Sequence, residues 1–261
     1  MSHKTRALIR ALPVRYAEAT VDYGVRVPIN TELAAIQHAQ YVAELAKHVD
    51  ELIWAEPFDE GPDSVFVEDQ AVVASGLAVL ARSGHTPRRL ERAGIADALR
   101  PFVELIPMEA PCTLDGGDVL RVGPHIFVGR SARTNDAGIS FLRESFSPLG
   151  YQIHRVDGTK GLHLKCVCSK IASGTVMAVE GRLQPDTFQD FVDVVWVPEE
   201  ESYAANALAV GGHVMMAAGF PTTRRRLLER GLPITEMSLS EIRKGDGALT
   251  CMSILLESDA E

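Results

Sequence analysis

The feature that most constrains the fold of this chain is an order of short segments that occurs several times. Residues 70–108 contain two apolar runs separated by a Gly turn, then a polar segment with helical spacing, and then a short third run. Residues 118–156 and 206–239 have the same order. Apolar runs that bracket a Gly turn predict a β-hairpin, and spacings such as Ile139 to Phe146 predict an amphipathic helix. Each of these segments is therefore predicted to form a ββαβ unit.

Two further copies of this unit are incomplete. Residues 173–198 form a shorter copy. The other copy is split: residues 5–13 give its first run, residues 38–57 give a helix and a last run, and residues 250–257 return to complete it. Five ββαβ units joined by the first and last strands predict an α/β protein with a closed, propeller-like ring. An ordinary mixed α/β sheet is the alternative, and the pattern alone leaves both open.

The size and composition are those of a globular protein with a full core. The 261 residues are 46% hydrophobic and 23% charged, which allows one large domain or two small ones. No Gly/Ser-rich or Pro-rich linker divides the sequence, so we expect residues 1–261 to form a single domain. The formal net charge of -9 argues against a nucleic-acid binder and against a partner membrane surface that is itself anionic.

Neither a membrane span nor an export signal is expected from the sequence. No apolar stretch approaches the roughly 20 residues that a membrane-spanning helix needs. The basic N-terminus lacks the apolar core and the cleavage site of a signal peptide. We therefore expect a cytoplasmic protein with four reduced cysteines, which are Cys112, Cys166, Cys168 and Cys251.

Carboxylates occur in two places where a strand-like sequence gives them no surface reason. Asp63, Glu68 and Asp69 flank a β-branched and aromatic run, and Asp115 and Asp118 bracket two glycines ahead of another apolar run. Solvent-facing turns would explain both groups. The functional interpretation of the first group is a carboxylate cluster that grips a planar cation such as a guanidinium group. In the second group, the paired glycines would allow a backbone or a ligand to approach closely.

A histidine and a cysteine complete this set of reactive groups. His163 alternates with Leu162 and Leu164 along an apparent strand, and Cys251 opens the last apolar run. A histidine can lower the pKa of a thiol and then serve as general acid and base, and a carboxylate can orient it. The alternatives are a structural histidine and a cysteine that is merely a small core residue.

The order of six motifs gives these residues a family resemblance over nearly the whole chain. The sequence contains FVED, LDGGDVL, VGRSARTN, GLHLK, EEESYAAN and a near-terminal TCMS. This series resembles dimethylarginine dimethylaminohydrolase, of the guanidino-group modifying superfamily that includes arginine deiminase and amidinotransferases. The resemblance implies the five-fold pseudosymmetric ββαβ propeller, or pentein fold, which agrees with the five units above.

The resemblance also implies roles for the reactive residues. Cys251 matches the nucleophile that attacks the guanidinium carbon. His163 matches the acid and base that protonates the departing amine and then activates water, and Asp115 matches the acid that supports it. Asp69, with Glu68, matches the pair that grips the guanidinium group.

Five more positions match contacts to the rest of the substrate. Asp63 matches a contact to its amino-acid end, and Arg88 and Arg133 match two arginines that clamp its α-carboxylate. Gly245 falls where a backbone carbonyl reaches the substrate. Val21 is the nearest equivalent of a leucine on a mobile lid, although the surrounding residues match that lid poorly.

By this resemblance, the protein hydrolyses N-ω-methylated arginines to citrulline and dimethylamine through a covalent thiouronium on cysteine. The partner is a small guanidino amino acid, and no metal or organic cofactor is required. Related bacterial enzymes imply a homodimer.

Two other functions remain open from the sequence. One is deimination of arginine or another guanidino compound, although the presence of both Arg88 and Arg133 favours a substrate with a free carboxylate over agmatine. The other is a non-catalytic domain with a structural zinc site made of His163, Cys112, Cys166 and Cys168. On a strand, however, His163 and Cys168 would point to opposite faces.

Overall fold

The computed structural model describes residues 4–22, 25–159, 161–184, 186–188 and 191–256. Within these ranges, fifteen strands form five separate three-stranded sheets. The strands are β1 (Arg6–Ile9), β2 (Glu51–Trp54), β3 (Ala71–Ala74), β4 (Leu77–Leu80), β5 (Glu104–Pro107), β6 (Val119–Val122), β7 (His125–Gly129), β8 (Gln152–Val156), β9 (Cys168–Ala172), β10 (Thr175–Val179), β11 (Asp193–Val197), β12 (Leu208–Val210), β13 (His213–Ala217), β14 (Ile234–Met237) and β15 (Ile254–Leu256).

All five sheets have the same internal order. An inner strand pairs antiparallel with a middle strand, and the middle strand pairs parallel with an outer strand. The sheets, written from inner to outer strand, are β15-β1-β2, β3-β4-β5, β6-β7-β8, β9-β10-β11 and β12-β13-β14. In the first of them, Arg6 pairs with Leu256 on one side and with Glu51 on the other. The predicted five-fold ββαβ propeller, with its split unit closed by the last strand, is confirmed.

The helices connect middle strands to outer strands, because a parallel pair needs a crossover connection. They are α1 (Thr31–Leu45), α2 (Arg92–Leu99), α3 (Asp136–Phe146) and α4 (Pro221–Leu228), whereas the short α5 (Ser240–Arg243) follows the outer strand β14. The shorter unit differs from this pattern. Its predicted polar helix falls on residues 185–192, where residues 186–188 form turns and residues 185, 189 and 190 lie outside the described ranges.

The hydrophobic core lies between the sheets and beneath the helices. Every side chain of β10 from Val176 to Val179 is fully buried, and so are those from Ile126 to Val128 in β7. Middle strands are covered on both faces, so they are continuous apolar runs rather than alternating ones. These rigid strands fix the positions at which the inner strands begin.

Each inner strand is preceded by a short 3-10 turn, which is the feature that positions the site. The five turns are Val67–Gln70, Gly116–Asp118, Leu164–Cys166, Glu199–Ala205 and Thr250–Met252. Neighbouring turns pack against one another around the ring. A hydrogen bond from the Thr250 amide to Asn206 Oδ1, 2.9 Å long, links the last two. The fold therefore gathers residues from all five units at one end of the inner strands.

Two sequence-based expectations about local structure are wrong. His163 does not lie on a strand, because residues 161–163 form a bend and Leu164–Cys166 form a 3-10 turn before β9 begins at Cys168. The run between Asp63 and Glu68 is likewise a series of turns. No helix in the described ranges is long and apolar enough to cross a membrane.

Candidate active site

His163 lies at this end of the ring with a carboxylate near each ring nitrogen. It is buried, with Nε2 lying 3.3 Å from Asp115 Oδ2 and Nδ1 lying 3.9 Å from Asp69 Oδ1. Burial disfavours its charged form, but the carboxylates of Asp69, Asp115 and Asp118 outweigh burial and raise its pKa to about 9. The imidazole is therefore protonated at neutral pH and is a proton donor.

Asp69 is held on both oxygens. The Gly117 amide donates to Oδ1 over 2.8 Å, and Arg88 Nη1 donates to Oδ2 over 2.5 Å. Burial raises the pKa of this carboxyl, but His163 and Arg88 outweigh it and lower the pKa below its ordinary value. Any side chain at Gly117 would clash here, since its Cβ would lie 2.5 Å from His163 Nδ1. His163 and Asp69 approach the backbone of residue 117 so closely that only glycine fits there, as predicted for the paired glycines.

Asp115 supports His163 from a fully buried position. Its Oδ2 lies 3.3 Å from His163 Nε2 and 3.5 Å from Arg133 Nη1, and its Oδ1 accepts a hydrogen bond from the Gly84 amide. The Thr134 hydroxyl accepts a hydrogen bond from the Asp115 amide. The imidazole therefore has one orienting carboxylate on each side, which fixes its ring plane.

Cys251 lies in the 3-10 turn that precedes β15 and is partly exposed. Burial raises the pKa of its thiol well above the ordinary value, and the negative charges of Glu68 and Asp69 raise it further. A positively charged ligand beside these acids would reverse the effect. Without a bound cation, the thiol of Cys251 is therefore protonated.

Glu68 is the second acid beside Cys251. Its Oε1 binds Lys165 Nζ at 2.6 Å, and its Oε2 accepts a hydrogen bond from Thr250 Oγ1 at 2.7 Å. Burial raises its pKa, and Lys165 opposes this shift. The contact with Thr250 connects Glu68 to the residue before the cysteine, so the turns of Glu68 and Cys251 are tied directly together.

A cavity of about 160 Å³ runs along the inner strands. The residues that line it include Glu68, Lys165 and Thr250 from the site, and Arg121 and Lys170 from two of the inner strands. Its lining includes neither His163 nor Cys251. We therefore do not assign this cavity to the reacting part of a substrate.

Arg88 has partners that differ from the predicted clamp on a substrate carboxylate. It is buried, and it donates to Asp69, to Glu91 and to the backbone carbonyls of Asp63 and Phe66. Glu91 Oε2 also accepts a hydrogen bond from Gln70 Nε2. In this arrangement Arg88 holds Asp69 in place, and the clamp stays a prediction that requires Arg88 to exchange some of these partners.

Arg133, the other predicted clamp, lies nearer the surface of the site. Its guanidinium group contacts the buried Asp115 at 3.5 Å and forms an ion pair with Asp22, whose side chain is 39% exposed. Asp22 also follows Val21, the residue predicted to lie on a lid. An incoming carboxylate could replace Asp22 on Arg133 without disturbing the pair with Asp115.

Asp63, Val21 and Gly245 lie on the segments beside this ion pair. Asp63 is buried and accepts hydrogen bonds from the Thr20 amide at 2.9 Å and the Thr20 hydroxyl at 2.6 Å, so it anchors the chain just before Val21. Gly245 packs on Tyr16, whose hydroxyl a Cβ would approach to 2.9 Å. Residues 23 and 24 of the predicted lid lie outside the described ranges.

Three residues that hold the site together were not assigned roles from the sequence. Asp118 Oδ2 accepts hydrogen bonds from Ser131 and Thr134 in the VGRSARTN motif, and its Oδ1 accepts one from the Leu164 amide next to His163. Asn206 and Lys165 fix the turns of Cys251 and Glu68. Polar residues inside three of the quoted motifs, LDGGDVL, GLHLK and EEESYAAN, were the available signal.

The structure does not bring His163 together with cysteines in the zinc site that was considered as an alternative. Among the described residues, the cluster of potential ligands that contains His163 also contains Asp69 and Asp115, and it includes no cysteine. Cys168 is fully buried and donates to the Leu164 carbonyl. Asp69 and Asp115 could ligate a metal ion by type, but Arg88 and Arg133 already neutralise them.

The stability of the protein is expected to fall from pH 6.5 to about 8.5. Because the folded state raises the pKa of His163 from 6.5 to about 9, the stabilisation is complete below pH 6.5 and is lost as the pH approaches 9. We expect His163 to account for a loss of about 2 kcal/mol in the free energy of unfolding by pH 8.5, and cysteines that ionise in the unfolded chain to add a smaller loss. Urea unfolding at both pH values tests this. His163→Gln should remove the larger part and leave the smaller loss from the cysteines, and an unchanged dependence in that variant would contradict the assignment.

Comparison with known proteins adds relatives and structures, while no family model matches the chain. It is 38% identical to N(G),N(G)-dimethylarginine dimethylaminohydrolase of Streptomyces coelicolor, over 96% of each chain. It is 36% identical to the protein of that name from Pseudomonas aeruginosa, over 84% of this chain and 86% of the relative.

Solved structures are similar over the whole fold. A crystal structure of dimethylarginine dimethylaminohydrolase from Pseudomonas aeruginosa, a cysteine-to-serine mutant complexed with citrulline, superposes with a TM-score of 0.91 at 32% identity and covers 97% of this chain and 99% of its own. A histidine-to-glycine form in an adduct with S-methyl-L-thiocitrulline also gives 0.91, at 31% identity, with 97% and 100% covered. The N-terminal domain of an arginine dihydrolase from cyanobacteria gives 0.86 at 18% identity over 98% of each chain, a likeness of fold alone.

Proposed function

This chain belongs to the dimethylarginine dimethylaminohydrolase family, and we propose from that premise that it hydrolyses N-ω-methylated arginines to citrulline and a methylamine. The observation that carries the proposal is the buried His163, which two flanking carboxylates keep protonated at the end of the ring that also holds Cys251. Such an imidazolium supplies the proton that an amine leaving group requires.

Binding of the substrate cation is the first step. Guanidinium is a poor electrophile, and the carboxylates of Glu68 and Asp69 hold its charge and its geometry. Its positive charge offsets the two acids that raise the pKa of Cys251, so the thiol releases its proton to solvent once the substrate is bound. Cys251 is the nucleophile in this proposal, and thiolate and substrate stabilise each other.

Attack and departure of the amine follow. The Cys251 thiolate forms a bond to the guanidinium carbon and gives a neutral tetrahedral adduct. His163 donates its proton to the dimethylamino nitrogen, because an amide anion cannot leave. The C–N bond breaks, dimethylamine departs, and a thiouronium cation remains on Cys251 beside a neutral His163. Asp115 keeps the imidazole oriented through this transfer.

Hydrolysis completes the cycle with the same histidine. Neutral His163 takes a proton from water, and the hydroxide adds to the thiouronium carbon. The C–S bond breaks, citrulline leaves after losing one proton to solvent, and the released thiolate takes up a proton from solvent to restore the thiol. The imidazolium is regenerated, so the atoms and charges balance over one turnover without a redox partner.

Recognition of the amino-acid end is assigned to the segments near Val21. Arg133 would exchange its contact with Asp22 for the α-carboxylate of the substrate, and Asp63 would act close to the α-amino group. Val21 would cover the ligand, and the carbonyl of Gly245 would reach it. Arg88 would either share the carboxylate with Arg133 or keep Asp69 aimed at the guanidinium group.

The chain is further proposed to act as one catalytic domain in the cytosol, in keeping with its four free cysteines. The family resemblance favours a homodimer, for which gel filtration with light scattering is the direct measurement.

The substrate class is tested by comparing kcat/KM for asymmetric dimethylarginine, monomethylarginine, arginine and agmatine, with citrulline or the corresponding urea as the measured product. We expect dimethylarginine or monomethylarginine to exceed arginine by at least about tenfold, and agmatine to be poorest because it lacks the carboxylate that Arg133 binds. A highest kcat/KM for arginine would replace the proposed substrate with that of an arginine deiminase.

A further inference from the structure

A second cluster of reactive side chains lies outside the active site, on the periphery of the ring. Glu44 is in the last turn of α1, His48 follows the end of that helix, and His213 opens β13. α1 belongs to the sheet closed by the chain termini, whereas β13 belongs to the neighbouring sheet. The cluster therefore spans two of the five units.

The ligand atoms of these three residues converge. His48 Nε2 lies 3.2 Å from Glu44 Oε1, and His213 Nε2 lies 4.0 Å from the same oxygen. One potential ligand atom from each of the three residues lies within 4.8 Å of the other two. The imidazole rings are stacked, with centroids 4.1 Å apart and planes 11° apart. The Thr235 hydroxyl donates to Glu44 Oε1 and lies 2.8 Å from His213 Nε2.

The charges of the cluster suit a cation that binds neutral imidazoles. Two protonated rings in a stack would repel each other. The pKa of His213 is lowered, mainly by burial and to a smaller extent by the neighbouring His48. Glu44 is ionised, because a hydrogen bond from Lys47 and others from Thr235 and His48 lower its pKa to about 2. Lys47 binds Oε2, so Oε1 is the oxygen that faces the rings.

We propose that Glu44, His48 and His213 form a binding site for one divalent transition-metal ion of the zinc class. Two imidazole nitrogens and one carboxylate oxygen are a donor set that Zn²⁺ accepts, with a fourth position left for water. Ligand atoms around tetrahedral Zn²⁺ lie roughly 3.3 Å apart for bonds of about 2.0 Å. Because the lone pair of each Nε2 lies in its ring plane and the two planes are nearly parallel, His213 has to rotate out of the stack and give up its contact with Thr235 before both nitrogens face one ion.

Two consequences follow from the place of the site. A bound ion would link α1 to the neighbouring sheet. It would also stabilise the folded state by mass action, because the ligands from the two units lie close together only when the protein is folded. The nearby Lys47 charge opposes cation binding, so we expect a micromolar rather than a nanomolar Kd. This site does not depend on the proposed hydrolase activity.

Calorimetric titration with ZnCl₂ tests the proposal in a background that carries Cys251→Ser and His163→Gln, which removes the reactive ligands of the active site. We expect one equivalent of Zn²⁺ to bind and to raise the thermal midpoint. Adding His213→Gln should weaken binding at least about tenfold and remove the thermal shift. Co²⁺ should give visible d–d bands in the background protein that His213→Gln abolishes.

His125→Gln is the matched control, since His125 Nδ1 and His154 Nε2 form another close pair of imidazole nitrogens, 3.0 Å apart. This variant should bind Zn²⁺ like the background protein. The proposal is overturned by a protein that shows no saturable binding. It is also overturned if His213→Gln leaves the Kd and stoichiometry unchanged, or if His125→Gln is the change that abolishes binding.

Discussion

Cys251→Ser is expected to reduce kcat for dimethylarginine by at least about 10⁴-fold while leaving the fold and the binding of citrulline intact. A serine hydroxyl is far harder to ionise than a thiol, and Glu68 and Asp69 beside residue 251 oppose a negative charge there. The substrate cation offsets these acids enough for a thiol but not for a hydroxyl. Steady-state citrulline production, circular dichroism and calorimetric titration with citrulline measure the three properties.

Cys112→Ser is the matched control for this change. Cys112 is also a partly exposed free thiol, and it packs against the core around β4 and β7. The variant should retain kcat within about twofold, since the proposed mechanism gives this thiol no part in the reaction. Activity of Cys251→Ser within tenfold of the parent protein would eliminate residue 251 as the nucleophile.

The repeated units could be recognised in the sequence because they carry their own turn signals, although only the family resemblance favoured a closed ring over a mixed sheet. Gly76, Gly123 and Gly212 each lie in a hairpin turn with a positive φ, so the turns that the pattern predicted have a local physical cause. The split unit could be inferred only because four other copies showed what was missing at each terminus. The unit over residues 173–198 was harder, since its connection between β10 and β11 lacks the apolar spacing of a helix.

The site was less accessible, because its partners are distant in sequence. Leu162, His163 and Leu164 alternate like a strand, but three residues are too few to distinguish a strand from a bend followed by a 3-10 turn. The pairing of Arg88 with Asp69 and of Lys165 with Glu68 depends on which turns meet in the ring. The spacing of residues along the chain contains no information about which turns meet. The charged residues could therefore be identified from the sequence, but their ion-pair partners could not.

His163→Gly should block the steps that need a proton donor or a base, and it should still allow attack by Cys251 on a substrate whose leaving group needs no proton. With dimethylarginine, the variant should lose at least about 10³-fold in kcat, because the departing dimethylamine has no proton donor. With S-methyl-L-thiocitrulline, the leaving group is methanethiolate, which departs without a proton. Cys251 should then form the thiouronium, and the missing base should leave it unhydrolysed. A family member with a histidine-to-glycine change forms an adduct with this compound.

Mass spectrometry of His163→Gly after incubation with S-methyl-L-thiocitrulline should show an increase equal to the compound minus methanethiol, on the peptide that contains Cys251. The double variant with Cys251→Ser should show none. His154→Gly, which changes a histidine on the outer strand β8, should turn over dimethylarginine like the parent protein and accumulate no adduct. Normal turnover by His163→Gly would mean that another group supplies the proton. Since His163 is the imidazole that Asp69 and Asp115 flank, that result would remove the physical basis for the proposed mechanism.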